Sequence, residues 1–290
     1  MKCCCSKCTQ DLKGKTALVT GASSGIGEAI ALKLASMGIK TYAAARRVEK
    51  MEHLKAHGVH VVMLDITKEE SIQACIERIN SESGGVDILV NNAGYGSYGS
   101  IEEVPLVEAK KQFEVNLFGL AVLTQRVIPF MRKNCFGKII NITSIGGVVA
   151  YPYGGWYHST KFALEGLSAS LRQELKPFGI DVMVVRPGAI KSEWSGIAAN
   201  SLKNISGQGA YAKAVEAMHT MLTGTDIEKL SGTPSDIAEV IEKAITSKHP
   251  KHAYIAPKHA KILVCLSRLI GDNCLRDALN RIFMKLPRKM

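Results

Sequence analysis

The sequence predicts an α/β fold, one parallel sheet covered by helices on both faces, and three observations carry that expectation. Short apolar runs alternate with amphipathic stretches from Lys15 to about Ala256, the order that a parallel sheet with helical crossovers requires. Most runs are rich in Val, Ile and Leu rather than alternating, as strands buried on both faces are. A Gly-rich turn directly follows the first run and opens a helical pattern, the arrangement of a doubly wound parallel-sheet (Rossmann) domain.

In chain order, strands are expected at 16–20, 40–45, 60–64, 87–91, 138–143, 181–186 and 253–256, because each is a short apolar run. Amphipathic spacing predicts helices between them, among them 25–37, 68–80, 107–133 and 156–176. The stretch 188–232 is rich in Gly, Ser and Asn and weakly periodic, which reads as a loop-rich lid insertion. The organisation expected is a single domain over 12–257, a disordered Cys-rich tail at 1–11 and a basic amphipathic extension at 258–290.

Composition narrows the classes. Hydrophobic residues make up 46% and charged residues 22% of 290, a globular balance that excludes a collagen-like repeat, a coiled coil and a disordered chain. No apolar run approaches the ~20 residues of a membrane span; the best, 262–270, is interrupted by Arg268. The start lacks the apolar stretch of a signal peptide, so a cytoplasmic protein is expected, at most peripheral to a membrane. The net charge of +11 is concentrated at 248–290, where ten Lys/Arg face only Asp272 and Asp277. Stacking aromatics are nearly absent there, Tyr254 and Phe283 being the exceptions, so nucleic acid is not an expected partner.

Cys3, Cys4, Cys5 and Cys8 crowd the start, while Cys75, Cys135, Cys265 and Cys274 are scattered. Adjacent cysteines chelate one zinc poorly and no His follows at ligand spacing, so no metal site is expected. A reduced, loose terminus is the preferred reading, with lipidation or adventitious metal binding as alternatives.

The turn reads Gly21-Ala-Ser23-Ser24-Gly25-Ile26-Gly27. Glycines let the backbone approach a pyrophosphate, and the following helix offers oriented N–H groups and partial positive charge. The second strand ends Ala45-Arg46-Arg47. An acid there would hold the ribose hydroxyls of NAD, whereas two arginines suit a 2′-phosphate, so NADP(H) is the expected cofactor. Tyr157 and Lys161 stand four apart in a helical pattern and share a face. A neighbouring ammonium favours a phenolate and so lowers a phenol that otherwise titrates near about 10. Ser144 ends the fifth run, at the sheet edge where doubly wound folds bind ligands. His158 points about 100° away from Tyr157 on a helix and reads as a bystander.

Thr20-Gly-Ala-Ser-Ser-Gly-Ile-Gly27, Asn91-Asn-Ala-Gly94, Asn116, Ser144, Tyr157-His-Ser-Thr-Lys161 and Pro187-Gly188 follow one another along the chain. As an ordered set they resemble the short-chain dehydrogenase/reductase family over roughly 12–190. The resemblance implies a catalytic set of Asn116, Ser144, Tyr157 and Lys161, with the Asn116 amide holding a water that links Lys161 to solvent. It implies that Asp65 and Ile66 meet the adenine and that Asn91, Ala93 and Gly94 line the cofactor and steady the central strand. Pro187, Gly188, Ile190 and Ser192, beside Tyr157 and Lys161, complete the expected cofactor contacts. The implied reaction is reversible hydride transfer between NADP(H) and a carbonyl/alcohol pair, with Tyr157 as general acid/base. Relatives pair through the long helices, so a homodimer or homotetramer is implied.

Residues 157–167, YHSTKFALEGL, and the run DVMVVRPGAIKSEW are similar to the branch containing 17β-hydroxysteroid dehydrogenases. Residues 42–47, YAAARR, resemble acyl-dihydroxyacetone-phosphate reductases. A lipophilic carbonyl or alcohol, steroid-like or lipid-like, is therefore the expected substrate. A small polar carbonyl, or a non-enzymatic NADP-binding regulator, are the alternatives. The tail repeats Ile262, Leu266, Leu269, Leu275, Leu279, Ile282 and Leu286 at mostly three- and four-residue steps among basic residues. It suits packing over the substrate pocket or lying on an anionic membrane.

Overall fold

The computed structural model describes residues 10–270. Seven parallel strands form one sheet in the order β3-β2-β1-β4-β5-β6-β7. They are β1 (Thr16–Thr20), β2 (Lys40–Ala45), β3 (His60–Met63), β4 (Ile88–Asn91), β5 (Gly137–Ile142), β6 (Ile180–Pro187) and β7 (Ala253–Ala256). The chain reverses its direction of growth between β1 and β4, which opens a crevice at their C-terminal ends.

Strand periodicity fixes the two layers. Ala17 and Val19 of β1 join the core beneath α1 (Gly25–Ser36) and α9 (Pro234–Thr246), with Ile30, Leu34, Ile237 and Ile241. Leu18 between them faces the opposite core, with Ile72 of α2 (Glu69–Ser83) and Leu123 and Val127 of α4 (Gly119–Lys133). Both faces are dry, which is why the strands read as unbroken apolar runs.

Two expectations differ from what folds. The single helix expected over 107–133 is α3 (Leu106–Phe113), a π-helical turn at Glu114–Phe118, then α4. The widened turn carries Asn116, which is completely buried, in keeping with π-turns marking functional positions. The insertion expected to be loop-rich is mainly helical: α6 (Glu193–Ser206), α7 (Ala212–Thr223) and α8 (Thr225–Leu230). Ser192 Oγ caps α6 by accepting the Trp194 N–H at 3.4 Å. The inner stripe, Ala198, Leu202, Val215 and Met218, packs on Tyr98, Tyr153 and Tyr157. Aromatic rings from distant segments thus supply a burial that the diluted periodicity does not reveal. The insertion closes on itself where Ile190 bridges Gly232.

After β7 the chain enters α10 (Lys258–Ile270). Ala260, Val264 and Ser267 face inward, while Lys261, Ile262, Cys265 and Leu266 are exposed. Cys3, Cys4, Cys5 and Cys8, and Leu275, Leu279, Ile282 and Leu286 of the tail, lie outside the described residues.

Candidate active site

A cleft of about 1010 Å³ runs along the C-terminal edge of the sheet. At one end the turn after β1 meets the start of α1. Gly21 has φ +65°, and a Cβ there would stand 2.8 Å from Ala93 Cα, so only glycine lets this turn pass beneath residues 92–94. Asn92 holds the turn shut: its Nδ2 donates to the carbonyls of Thr20 (2.9 Å) and Gly21 (3.1 Å). Thr20 Oγ1 in return accepts the N–H groups of Asn92 and Ala93, both at 3.0 Å.

Ser23, Ser24, Gly25, Ile26, Arg46, Arg47, Asp65, Ile66, Ala93 and Gly94 line this end. Ala45 offers no carboxylate, and the exposed arginines follow it. Arg47 Nη2 donates to Ser23 Oγ at 3.2 Å and lies 3.9 Å from the Glu193 carboxylate. Burial acts to raise the Asp65 carboxyl. Hydrogen bonds from Thr67 and the charges of Arg46 and Lys68 outweigh it and hold the group below its ordinary value. Serine hydroxyls, open N–H groups and two guanidiniums beside a glycine turn form a donor set that fits a phosphorylated dinucleotide.

Gly27 and Asn91, both expected among the cofactor contacts, do not line the cleft; Asn91 instead ties the central strand to its neighbours, the other role that the resemblance implies. Alternation along the strand end turns Asn91 the other way from Asn92. Its Nδ2 donates to Asn141 Oδ1 (2.8 Å) and Thr124 Oγ1 (3.0 Å), stitching β4 to β5 and α4. Gly27 sits behind the turn, where a Cβ would collide with the Gly21 carbonyl.

The other end brings together Ser144, Tyr157 and Lys161 of the expected catalytic set. Ser144, just past β5, accepts the Gly146 N–H at 3.0 Å, which leaves its own proton free to donate. Tyr157 and Lys161 project from α5 (Gly155–Leu175). Lys161 Nζ donates to the Ile142 carbonyl at 2.9 Å and lies 5.8 Å from the centre of the Tyr157 ring. Burial brings Lys161 down to about 8, against the opposing charge of Glu165. Burial also pushes the Tyr157 phenol up, although a hydrogen bond from Ser144 works against this. In the protein alone the phenol is therefore raised rather than lowered, because desolvation outweighs what its neighbours supply.

Asn116 is not on the cleft surface. Its Oδ1 accepts the Tyr95 N–H at 3.0 Å, and Nδ2 donates to the Tyr95 carbonyl (2.9 Å) and Thr160 Oγ1 (3.1 Å). Both amide protons are committed, so the side chain staples the loop after β4 to α5 rather than presenting donors to water. His158 is buried with Nδ1 3.0 Å from the Gly146 carbonyl, and burial lowers it to about 4.

Pro187, Gly188, Ile190 and Ser192 line the cleft between the two ends. Residues not singled out from the sequence complete the wall: Tyr151, Trp194, Met221, Leu222 and, from α10, His259 and Leu263. The Trp194 ring centre is 5.2 Å from that of Tyr157, and Tyr98 lies 5.8 Å away. Trp194, Met221 and Leu222 belong to the insertion expected as a lid, and His259 and Leu263 to the tail expected to suit packing over the substrate pocket.

The sequence matches the short chain dehydrogenase family over residues 15–201. It is 35% identical over 269 residues to the 3-ketodihydrosphingosine reductase of Bacteroides thetaiotaomicron, covering 92% of this chain and 96% of that one. It is 32% identical over 286 residues to the NADPH-dependent 3-dehydrocapnine reductase of Ornithobacterium rhinotracheale, covering 94% and 98%. A short-chain dehydrogenase from Streptomyces avermitilis superposes with a TM-score of 0.78 at 31% identity, over 94% of this chain and 98% of that one. The glycine turn, the crevice at the strand order reversal and the Tyr157–Lys161 face thus belong together, and the chain is a member of the short-chain dehydrogenase/reductase family of oxidoreductases.

Proposed function

We propose that this protein is an NADP(H)-dependent reductase of a lipophilic ketone, working through Ser144, Tyr157 and Lys161. The observation that carries the reading is the Tyr157 hydroxyl, hydrogen-bonded to Ser144 at the apolar end of a cleft whose other end offers Ser23, Ser24, Arg46 and Arg47. The bound cofactor would supply the hydride. Ser144 and Tyr157 would both donate to the substrate oxygen, and the Tyr157 proton would pass to it as negative charge develops. Lys161, charged below pH about 8, would stabilise the phenolate that remains and bind the nicotinamide ribose. Trp194, Met221 and Leu222 would exclude water. Two relatives are named as reductases of a 3-keto and a 3-dehydro compound. The likeness of residues 157–167 to 17β-hydroxysteroid dehydrogenases supports the same lipophilic class, steroid-like substrates included. NADPH oxidation on a panel of hydrophobic and small polar ketones tests this. Turnover confined to the polar ketones, or none at all, would refute it.

Cofactor choice rests on Arg46 and Arg47. Arg46→Ala is expected to weaken NADPH binding by ~1–3 kcal/mol, the cost of a charge-assisted bond, and to leave NADH nearly unchanged. Ala45→Asp should turn the preference toward NADH, since a carboxylate accepts from ribose hydroxyls and repels phosphate. Titration with both nucleotides checks this, and equal losses for both would show that Arg46 does not read the phosphate.

Exposed Leu106, Val107, Phe118, Phe162 and Leu167 on α3, the π-turn and α5 support self-association as a homodimer or homotetramer. Among the described residues no helix is long and apolar enough to cross a membrane. The outer side of α10 nevertheless combines Ile262 and Leu266, 61% and 41% exposed, with Lys258 and Lys261. Such a face suits peripheral contact with anionic lipid beside the cleft. Cosedimentation of the full-length protein with anionic vesicles should show binding at low salt that is lost at high salt. Protein remaining in the supernatant at low salt would reject the contact.

A further inference from the structure

Behind Lys161, away from the cleft, lies a charged cluster that the proposed mechanism does not use. Glu165 follows Lys161 by one turn of α5, so the two side chains share a face. Its carboxylate is gripped on both oxygens: Arg186 donates Nε to Oε1 and Nη2 to Oε2, both at 2.8 Å. Thr143 Oγ1 donates to Oε1 at 2.7 Å. The Glu165 and Arg186 side chains are only 12% and 8% exposed. Three positions of the site meet here, since Thr143 precedes Ser144, Arg186 precedes Pro187-Gly188, and Glu165 follows Lys161.

A buried Arg–Glu pair on its own is a weak source of stability, because desolvating two ions offsets most of their attraction. Here a third charge lies beside it. Lys161 is buried at the same corner, where its ammonium donates to the neutral Ile142 carbonyl. The Glu165 carboxylate is the acid whose charge bears on it. The other groups facing this corner are Tyr157 on α5, Arg186 on β6, Asn116 on the π-turn, and His252, which senses Glu165, Arg186 and Arg172. None of these carries negative charge at neutral pH.

We infer that Glu165, clamped by Arg186 and Thr143, is a positioning residue that supplies the buried counter-charge of Lys161 and ties Ser144 and Pro187-Gly188 to α5. The role rests on the function proposed for Lys161, but its electrostatic part belongs to the protein alone and is measured without cofactor. The sign follows from charge. Removing the carboxylate leaves Lys161 facing an unbalanced guanidinium, so its ammonium loses its proton at lower pH. Removing the guanidinium strengthens the hold of Glu165 on Lys161, so the proton leaves at higher pH. A merely structural cluster predicts no such opposition.

The experiment is an NMR titration of the Lys161 ¹⁵Nζ resonance in cofactor-free, full-length protein, assigned with Lys161→Met. Glu165→Gln should move the midpoint down by roughly one pH unit, the effect of one nearby charge, and Arg186→Gln should move it up. Thr143→Val removes a hydrogen bond and no charge, and should leave the midpoint in place. The alkaline limb of kcat/KM should follow the same directions. If Glu165→Gln does not fold, Arg186→Gln carries the test with Thr143→Val as control. Midpoints unchanged in the folded variants, with only melting temperature lowered, would overturn the inference. Shifted midpoints in a protein that reduces no ketone would refute the proposed function and leave the counter-charge standing.

Discussion

Tyr157→Phe is expected to reduce kcat by about 10²–10⁴-fold or more, the contribution of a positioned general acid, while NADPH binding is retained. The ring keeps its place against Tyr98 and Trp194, so packing survives the loss of one oxygen. What goes is the proton aimed at the substrate and the partner of Ser144. The neighbouring groups offer no ready replacement. His158 is turned to the Gly146 carbonyl and held neutral at pH 7 by its lowering to about 4. The Tyr98 hydroxyl is 3.3 Å from that of Tyr151, and burial pushes both phenols up. Steady-state rates alongside an NADPH binding titration check the prediction. Residual turnover above a few per cent of wild type would identify another acid.

The sheet was legible because its chemistry is local. Strands covered on both faces read as apolar runs, and each of the seven lies within one residue of the expected bounds. The site was legible where motifs follow one another in an order that resembles the family's, as the glycine turn and the Tyr157–Lys161 pair do. It was not legible where tertiary contacts decide. Asn91 and Asn92 differ by one position, and only the strand's exit determines which faces the cleft. The π-turn at Asn116 answers a bond to the Tyr95 backbone, 21 residues away. Glu193 meets Ser24 across 169 positions, and no local pattern encodes that. The insertion read as loop because its apolar stripe serves the aromatic rings of the cleft instead of the sheet.

Lys161→Met is expected to lose activity and gain stability. The methionine chain fills most of the lysine's volume, so little cavity remains. Catalysis loses the charge that stabilises the Tyr157 phenolate and the donor to the nicotinamide ribose, so kcat and KM for NADPH should both worsen. A change in only one would mean that the two roles fall to different groups. Stability moves the other way, and its pH dependence gives the sign. Lys161 titrates at about 8 when folded, against 10.5 as an ordinary lysine. Below the lower value both states hold the proton, and folding bears the full cost of burying an ammonium. Between the two values the unfolded chain binds more protons, so wild-type stability rises with pH across that window. Above the upper value the penalty is gone. The methionine variant lacks this slope, and at pH 7 it should exceed wild type by at most on the order of 3 kcal/mol, the free energy of a shift this large. Denaturant melts at pH 7 and pH 10 measure the effect. Equal stability of the two proteins at both values would mean that Lys161 is not desolvated in the folded state. A stable, inactive variant would instead show that this ammonium is kept at the expense of the fold, as expected of a group retained for chemistry.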